Sequence, residues 1–186
     1  LNSSNILFTG KEIQYLNGEL PGTIISGSNQ DLFQTFNCFA AGTQISLVGG
    51  STKNIEDITI GEKILTYNED SKENEESIVG DLLNHQLNSS IILEFNNGVA
   101  ITTTNEHPFY VKSKGWVKAL NLEVQDICQN VEGEDVIITS IINKTGFIEV
   151  FNLLNVNINH NYYANGILVH NKATPSINFI GTSPAY

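Results

Sequence analysis

"TQISLV", Thr43 to Val48, is answered 64 residues later by "HPFYVK", His107 to Lys112, and the offset between these two β-rich runs persists beyond them. Ile45, Leu47, Ile55, Ile58 and Ile60 fall on Phe109, Val111, Ala119, Leu122 and Val124, apolar on apolar throughout, and Gly61-Glu62 falls on Gln125-Asp126. Self-similarity at a fixed offset marks a structural unit built more than once. Two similar β subdomains related by a pseudo-two-fold are therefore expected, with one cleft between the halves. Ile64 falls on Cys128. That pairing reads Cys128 as a small core residue, because an un-ionised thiol packs as a hydrophobe.

Working outward, "GEKILTYN", "SIILEF", "VAITTT", "DVIITSII" and "FIEVFNLLNV" are further short β-rich runs, with "NNG", "SKG" and "EGED" between them as turn signals. Apolar residues nowhere keep a 3.6-residue period for long, apart from a turn or two at "VKALNL". The fold class predicted is all-β. "NYYANGILVHNKA", Asn161 to Ala173, reads as one buried strand running unbroken into His170-Asn171. "NEDSKENEES", Asn68 to Ser77, has no apolar residue and reads as a solvated loop. Residues 1–37 read as an extended arm with one edge strand.

With 186 residues the chain can bury a real core. No apolar run approaches the roughly 18 residues of a membrane span. Nine Lys and no Arg face 20 acidic residues, and a net charge of -11 would repel a phosphate backbone, so nucleic acid is not an expected partner. Two cysteines, Cys38 and Cys128, are too few for a disulfide framework and lack metal-finger spacing. The chain starts at Leu1 without a signal-like segment and reads as a piece of a longer precursor.

Three stretches carry chemistry. "NCFAAGTQISL" places a thiol ahead of a strand, "TTTNEHPFYV" ends a strand on Thr104-Asn105-Glu106-His107, and "INHNYYANGILVHN" holds His160 and closes on His170-Asn171. A thiol at the start of a folded unit can attack the preceding carbonyl, here Asn37, and exchange an amide for a thioester, provided a base takes its proton and an acid serves the departing amine. Thr104 and His107 can converge on one peptide from a strand end. At the far end, the Asn171 carboxamide can attack its own carbonyl, close a succinimide and expel Lys172. His85 matches no motif and reads as a surface or edge residue.

At these residues the chain resembles the Hint superfamily, which comprises intein splicing domains, bacterial intein-like domains and the hedgehog autoprocessing domain. It is most similar to a bacterial intein-like domain of the A type, spanning Cys38 to Asn171. The resemblance implies a horseshoe of two pseudo-symmetric β halves, with 1–37 and 172–186 as the flanking segments on which the domain acts. It implies that His107, assisted by Thr104, polarises the Asn37-Cys38 peptide and protonates its nitrogen. His170 would polarise the Asn171 carbonyl, and His160 would help protonate the leaving nitrogen. Asn152 stands where many inteins have Asp, so only hydrogen bonding is left to it. Lys172 stands where splicing inteins have Cys, Ser or Thr and cannot accept an acyl group. Cleavage at both ends with low-efficiency splicing is therefore expected from a monomer with no cofactor or required metal. Zinc bridging Cys38 to a nearby His is an expected inhibitor, and an exported bacterial precursor is the family's implication. The same residues also admit a non-catalytic all-β surface module, or a Cys-His hydrolase acting in trans.

Overall fold

The computed structural model of the chain describes residues 37–171 in full and, ahead of them, the backbone of two strands, β1 (Ser4–Thr9) and β2 (Glu12–Asn17). These two pair antiparallel, Ser4 opposite Asn17, so the predicted single edge strand is a hairpin. Lys172 and the C-terminal flank lie outside the described residues.

The first half runs through β3 (Phe39–Ala40), β4 (Gln44–Ser46), β5 (Thr52–Asn54), β6 (Lys63–Asn68) and β7 (Glu73–Ile78). A long ribbon, β8 (Asp81–Phe95), leads to the second half: β9 (Ala100–Thr103), β10 (Pro108–Val111), β11 (Gly115–Lys118) and β12 (Ile127–Gln129). The chain closes with β13 (Asp135–Leu154), β14 (Asn161–Ala164) and β15 (Ile167–His170). Eleven of these strands form one sheet in the order β3-β9-β8-β13-β12-β10-β15-β14-β4-β5, with β11 on β10. Short 3-10 turns at Ile55–Asp57 and Ala119–Asn121 are the helical content among the described residues, and no helix is long and apolar enough to cross a membrane.

The repeat read from apolar positions is also a repeat of hydrogen bonds. Thr43 N–H donates to Ala40 O and His107 N–H to Thr104 O, each at 3.3 Å; Ile55 N–H donates to Thr43 O and Ala119 N–H to His107 O, each at 2.8 Å. Leu47 bridges Ile64 as Val111 bridges Cys128. Thr59 N–H is held by the Glu62 carboxylate at 2.9 Å and Glu123 N–H by that of Asp126 at 3.0 Å. Gly61 and Gln125 both adopt positive φ, 90° and 80°. Each member differs from its mate by 64 in number, so the two copies share a backbone path and not merely a pattern. Cys128 is wholly buried in the main core cluster, where its mate Ile64 also lies.

Two expectations need correction. Asn161 to His170 is not one strand but a hairpin, Ala164 opposite Ile167, turned by Asn165 and Gly166 with φ of 46° and 75°. Positive φ at both central residues is what a two-residue turn matching the strand twist demands, and Asn-Gly supplies it at least cost. Asn165 is further fixed by its carboxamide, which accepts from Gln44 N–H and donates to Ala100 O, each at 2.7 Å. All four residues of β14 are buried: Tyr162 and Ala164 enter the main core, while Tyr163 joins a smaller cluster with Tyr67 and Leu168. The Asn161 carboxamide ties this strand to the first half, exchanging 2.8 Å bonds with both the N–H and the C=O of Tyr67.

The second correction concerns Asn68 to Ser77. Only Glu69–Lys72 turns; Glu73–Ile78 pairs with β6 throughout. The strand is acidic because it pairs on one side only, and charge on an edge strand discourages pairing with another chain.

Candidate functional site

Cys38 lies where β3 begins, and both sides of its peptide unit are held. Its N–H donates to Thr104 Oγ1 at 3.0 Å, and its carbonyl accepts from Thr104 N–H and Thr103 Oγ1, each at 3.0 Å. β3 pairs with both β9 and β13, which closes the sheet around the residue and leaves Cys38 0% exposed. Burial pushes the thiol up to about 12. Cys38 is therefore a thiol at pH 7, and a nucleophilic role would require a partner to take its proton.

His107 follows the turn after β9 and is also wholly buried. Its ring packs on Phe39 at 4.0 Å between centroids and meets Phe109 and Tyr162 at 6.0 and 6.4 Å. Desolvation drives its proton affinity down to about 3, and repulsion from His170 adds to this; the backbone carbonyls of Asn37 and His170 oppose it. Neither ring nitrogen completes a hydrogen bond of normal geometry. The imidazole is thus neutral at pH 7 and faces a main-chain carbonyl from each end of the unit.

Phe109 in β10 pairs with Val169 in β15, and this antiparallel register brings the residue pair 107 and 171 alongside one another. Asn171 is 2% exposed, with its N–H donating to His160 O at 2.7 Å. Its carboxamide donates from Nδ2 to Leu153 O and accepts at Oδ1 from Val156 N–H, each at 2.6 Å. His170 stands edge-on to Trp116 at 4.7 Å. The backbones of Asn37 and His170, each next to one end of the unit, thus both lie beside the His107 ring.

His160 is placed differently from the sequence expectation: the residue is exposed, at φ of 51°, and reaches Asn171 through its carbonyl. His85 is half-buried in β8 opposite Val150 in β13, on a stretch of β8 that β9 does not pair. Asn37 is buried. Asn152 in β13 is 1% exposed; its Oδ1 faces the Tyr162 hydroxyl at 3.5 Å, and its Nδ2 has no partner. Tyr162 was not legible as a site residue, because an aromatic residue in an apolar strand reads as core. Its phenol is buried and pushed well up, first by desolvation and then by the nearby Cys38 sulfur. Among the described residues no group of three or more His, Cys, Asp and Glu side chains is arranged to hold a metal ion.

The pretoxin HINT domain family matches residues 45–172. The solution structure of a bacterial intein-like domain from Clostridium thermocellum is similar over 73% of this chain and 99% of that one, with 31% identity and a TM-score of 0.69. A DnaB intein from Synechocystis sp. PCC 6803 is similar over 73% of this chain and 98% of its own, with 27% identity and a TM-score of 0.65. The gp41-1 intein, at 22% identity and a TM-score of 0.62, shares the fold. No curated protein sequence matches the chain.

Proposed function

Because the chain belongs to the pretoxin HINT family and carries the intein fold, that of self-processing domains, we propose that residues 38–171 cut their own chain at both ends. The Asn37-Cys38 bond is broken by an N-to-S acyl shift, and the Asn171-Lys172 bond by Asn cyclisation. The observation that carries the reading is the single buried, neutral His107 imidazole with the carbonyls of Asn37 and His170 turned toward it.

At the first cut, the Cys38 sulfur attacks the Asn37 carbonyl carbon as His107 takes the thiol proton. Thr104, which accepts the Cys38 N–H, keeps the peptide nitrogen in place. His107 then returns the proton to that nitrogen, the C–N bond breaks, and a thioester with a free amine remains. Burial raises the Cys38 thiol and lowers the His107 imidazole, so proton transfer between them is uphill, in keeping with a slow single-turnover event. Water or an added thiol resolves the thioester.

At the second cut, Asn171 Nδ2 leaves Leu153 O and attacks the Asn171 carbonyl, which His170 polarises; the proton shed by the carboxamide passes to the leaving Lys172 nitrogen. Lys172 cannot take up the acyl group from Asn37, so the flanks 1–37 and 172–186 are released more than joined. The test is to incubate the purified chain with and without dithiothreitol and weigh the fragments. Cys38→Ala should abolish the first cut and spare the second, and Asn171→Ala should do the reverse. A folded chain whose intact mass persists under every condition overturns the reading.

A further inference from the structure

Thr103 bonds Cys38 directly, yet the cleavage chemistry leaves it without a role. Its hydroxyl donates to the Cys38 carbonyl at 3.0 Å; it also stands 3.5 Å from Thr104 O, too far for a good hydroxyl bond. The side chain is wholly buried. The inward places of β9 are 101 and 103, and Ile101 fills the first with an apolar chain. A hydroxyl at the second must find a partner inside the core or cost stability. The partner it has is the residue that carries the nucleophile.

Folding does not require that bond. The Cys38 carbonyl already accepts from Thr104 N–H at 3.0 Å, so a valine at 103, β-branched like threonine, would leave no buried acceptor orphaned. Phe39, the mate of Thr103 at the 64-residue offset, faces it across the β3–β9 pair. Where the two copies meet, one therefore puts a phenyl ring into the core and the other a hydroxyl onto Cys38.

The second bond to the carbonyl completes a hold on Cys38 from both sides. Thr104 Oγ1 takes its N–H, while Thr103 Oγ1 and Thr104 N–H take its C=O. The ring that closes in the acyl shift contains the Asn37 carbonyl carbon and, from Cys38, the nitrogen, Cα, Cβ and the sulfur. With the peptide units on either side of Cα pinned, the sulfur reaches that carbon by rotation about Cα–Cβ, without a search over the whole residue. When the carbon–nitrogen bond parts, the bonds to the carbonyl still hold Cα in place.

We infer that Thr103 is a positioning residue for the first cut, its hydroxyl fixing Cys38 through the carbonyl so that the sulfur is aimed at Asn37. The inference rests on the reading of Cys38 as nucleophile. The bonds that change remain sulfur–carbon formed and carbon–nitrogen broken, with one proton passing from sulfur through His107 to the Cys38 nitrogen. The Thr103 hydroxyl keeps its own proton throughout.

The experiment follows both cuts in the full chain by mass at rising dithiothreitol and fixed pH. At high dithiothreitol the first cut reaches a plateau limited by the acyl shift, and Thr103→Val should lower that plateau about 10-fold, as expected when a reacting group is less well aimed. The second cut should keep its rate, and Tm should stay within a few degrees because no acceptor is orphaned. Thr103→Ser keeps the hydroxyl and should hold the plateau within about threefold of the parent, while Thr103→Ala, which differs from it by that hydroxyl, should fall about as far as Thr103→Val. A Thr103→Val chain with an unchanged plateau, or Ser and Ala variants with equal plateaus, overturns the inference and leaves Cys38 as nucleophile. If Cys38→Ala also cuts normally before residue 38, the reading beneath it fails instead. Should Thr103→Val not fold, the comparison of Thr103→Ser with Thr103→Ala decides.

Discussion

Residues 40–43 and 104–107 make the same turn, with the same 3.3 Å closing bond and the same 2.8 Å bond to the following 3-10 turn, yet they carry different side chains. In the first copy Thr43 folds its hydroxyl back onto Ala40 O at 2.8 Å, so the turn is satisfied by itself. In the second copy Thr104 spends its hydroxyl on the Cys38 N–H, and the His107 ring nitrogens complete no hydrogen bond of normal geometry. The backbone of the turn is indifferent to this exchange. One copy is closed on local bonds, while the other reaches across to the chain end, so the duplicated scaffold confines its reactive groups to one of two equivalent places.

Making the second copy resemble the first tests that contrast most severely. His107→Thr should keep the fold and reduce the first cut by about 10⁴, the upper range for loss of a positioned proton carrier; fragment masses over days would show it. Survival of that cut at normal rate would mean that the difference between the turns is decorative.

Acid offers the next largest effect. Folded His107 takes a proton only near 3, against an ordinary value of 6.5. As pH falls, the unfolded chain therefore binds the proton first. Stability from this group is fully present above about 6.5 and is lost on the way to about 3, by up to about 5 kcal/mol. His85, lowered by its own burial, acts in the same direction. Denaturant titrations of a Cys38→Ala, Asn171→Ala chain should show this acid limb, and it should flatten when His107→Thr is added. An equally steep limb in both chains would place the acid sensitivity elsewhere.

Thr104→Ala restores the Ala40 side chain at the equivalent position. It should slow the first cut about 10- to 100-fold, as expected for losing a hydrogen bond that places the reacting peptide, and leave the second unchanged. The smallest effect falls on the other copy: Thr43→Val removes one satisfied hydroxyl and should cost about 1 kcal/mol. That would appear as a few degrees in Tm, with both cutting rates unaltered.

How far the sequence could be read follows from the same contrast. The repeat was visible because its apolar positions must face a core in both copies, and burial is a property of residue type. The turn at Asn165-Gly166 was missed because apolar residues flank it on both sides, and an unbroken hydrophobic pattern outweighed a two-residue signal. β7 was missed because an edge strand needs little apolar surface; of its six residues only Ser77 is buried. Cys38, Thr104, His107, His170 and Asn171 could be named from motifs, and the structure brings them to one region. The sequence could not say that residue 160 would contact Asn171 by its carbonyl, since a positive φ there is set by the loop as a whole. Nor could it give the direction of the Tyr162 hydroxyl, which depends on how two distant strands pack.

Asn165 and Gly166 form the dipeptide most prone to spontaneous ageing, since glycine scarcely hinders attack by its own backbone nitrogen. In the folded protein the vulnerable carboxamide is bonded at both ends, to Gln44 and to Ala100. Folding thus acts as a preservative at this site, and the gain of one mass unit there becomes a clock that runs only while the chain is open. A preparation's chemical wear at residue 165 would record how long its molecules had spent unfolded.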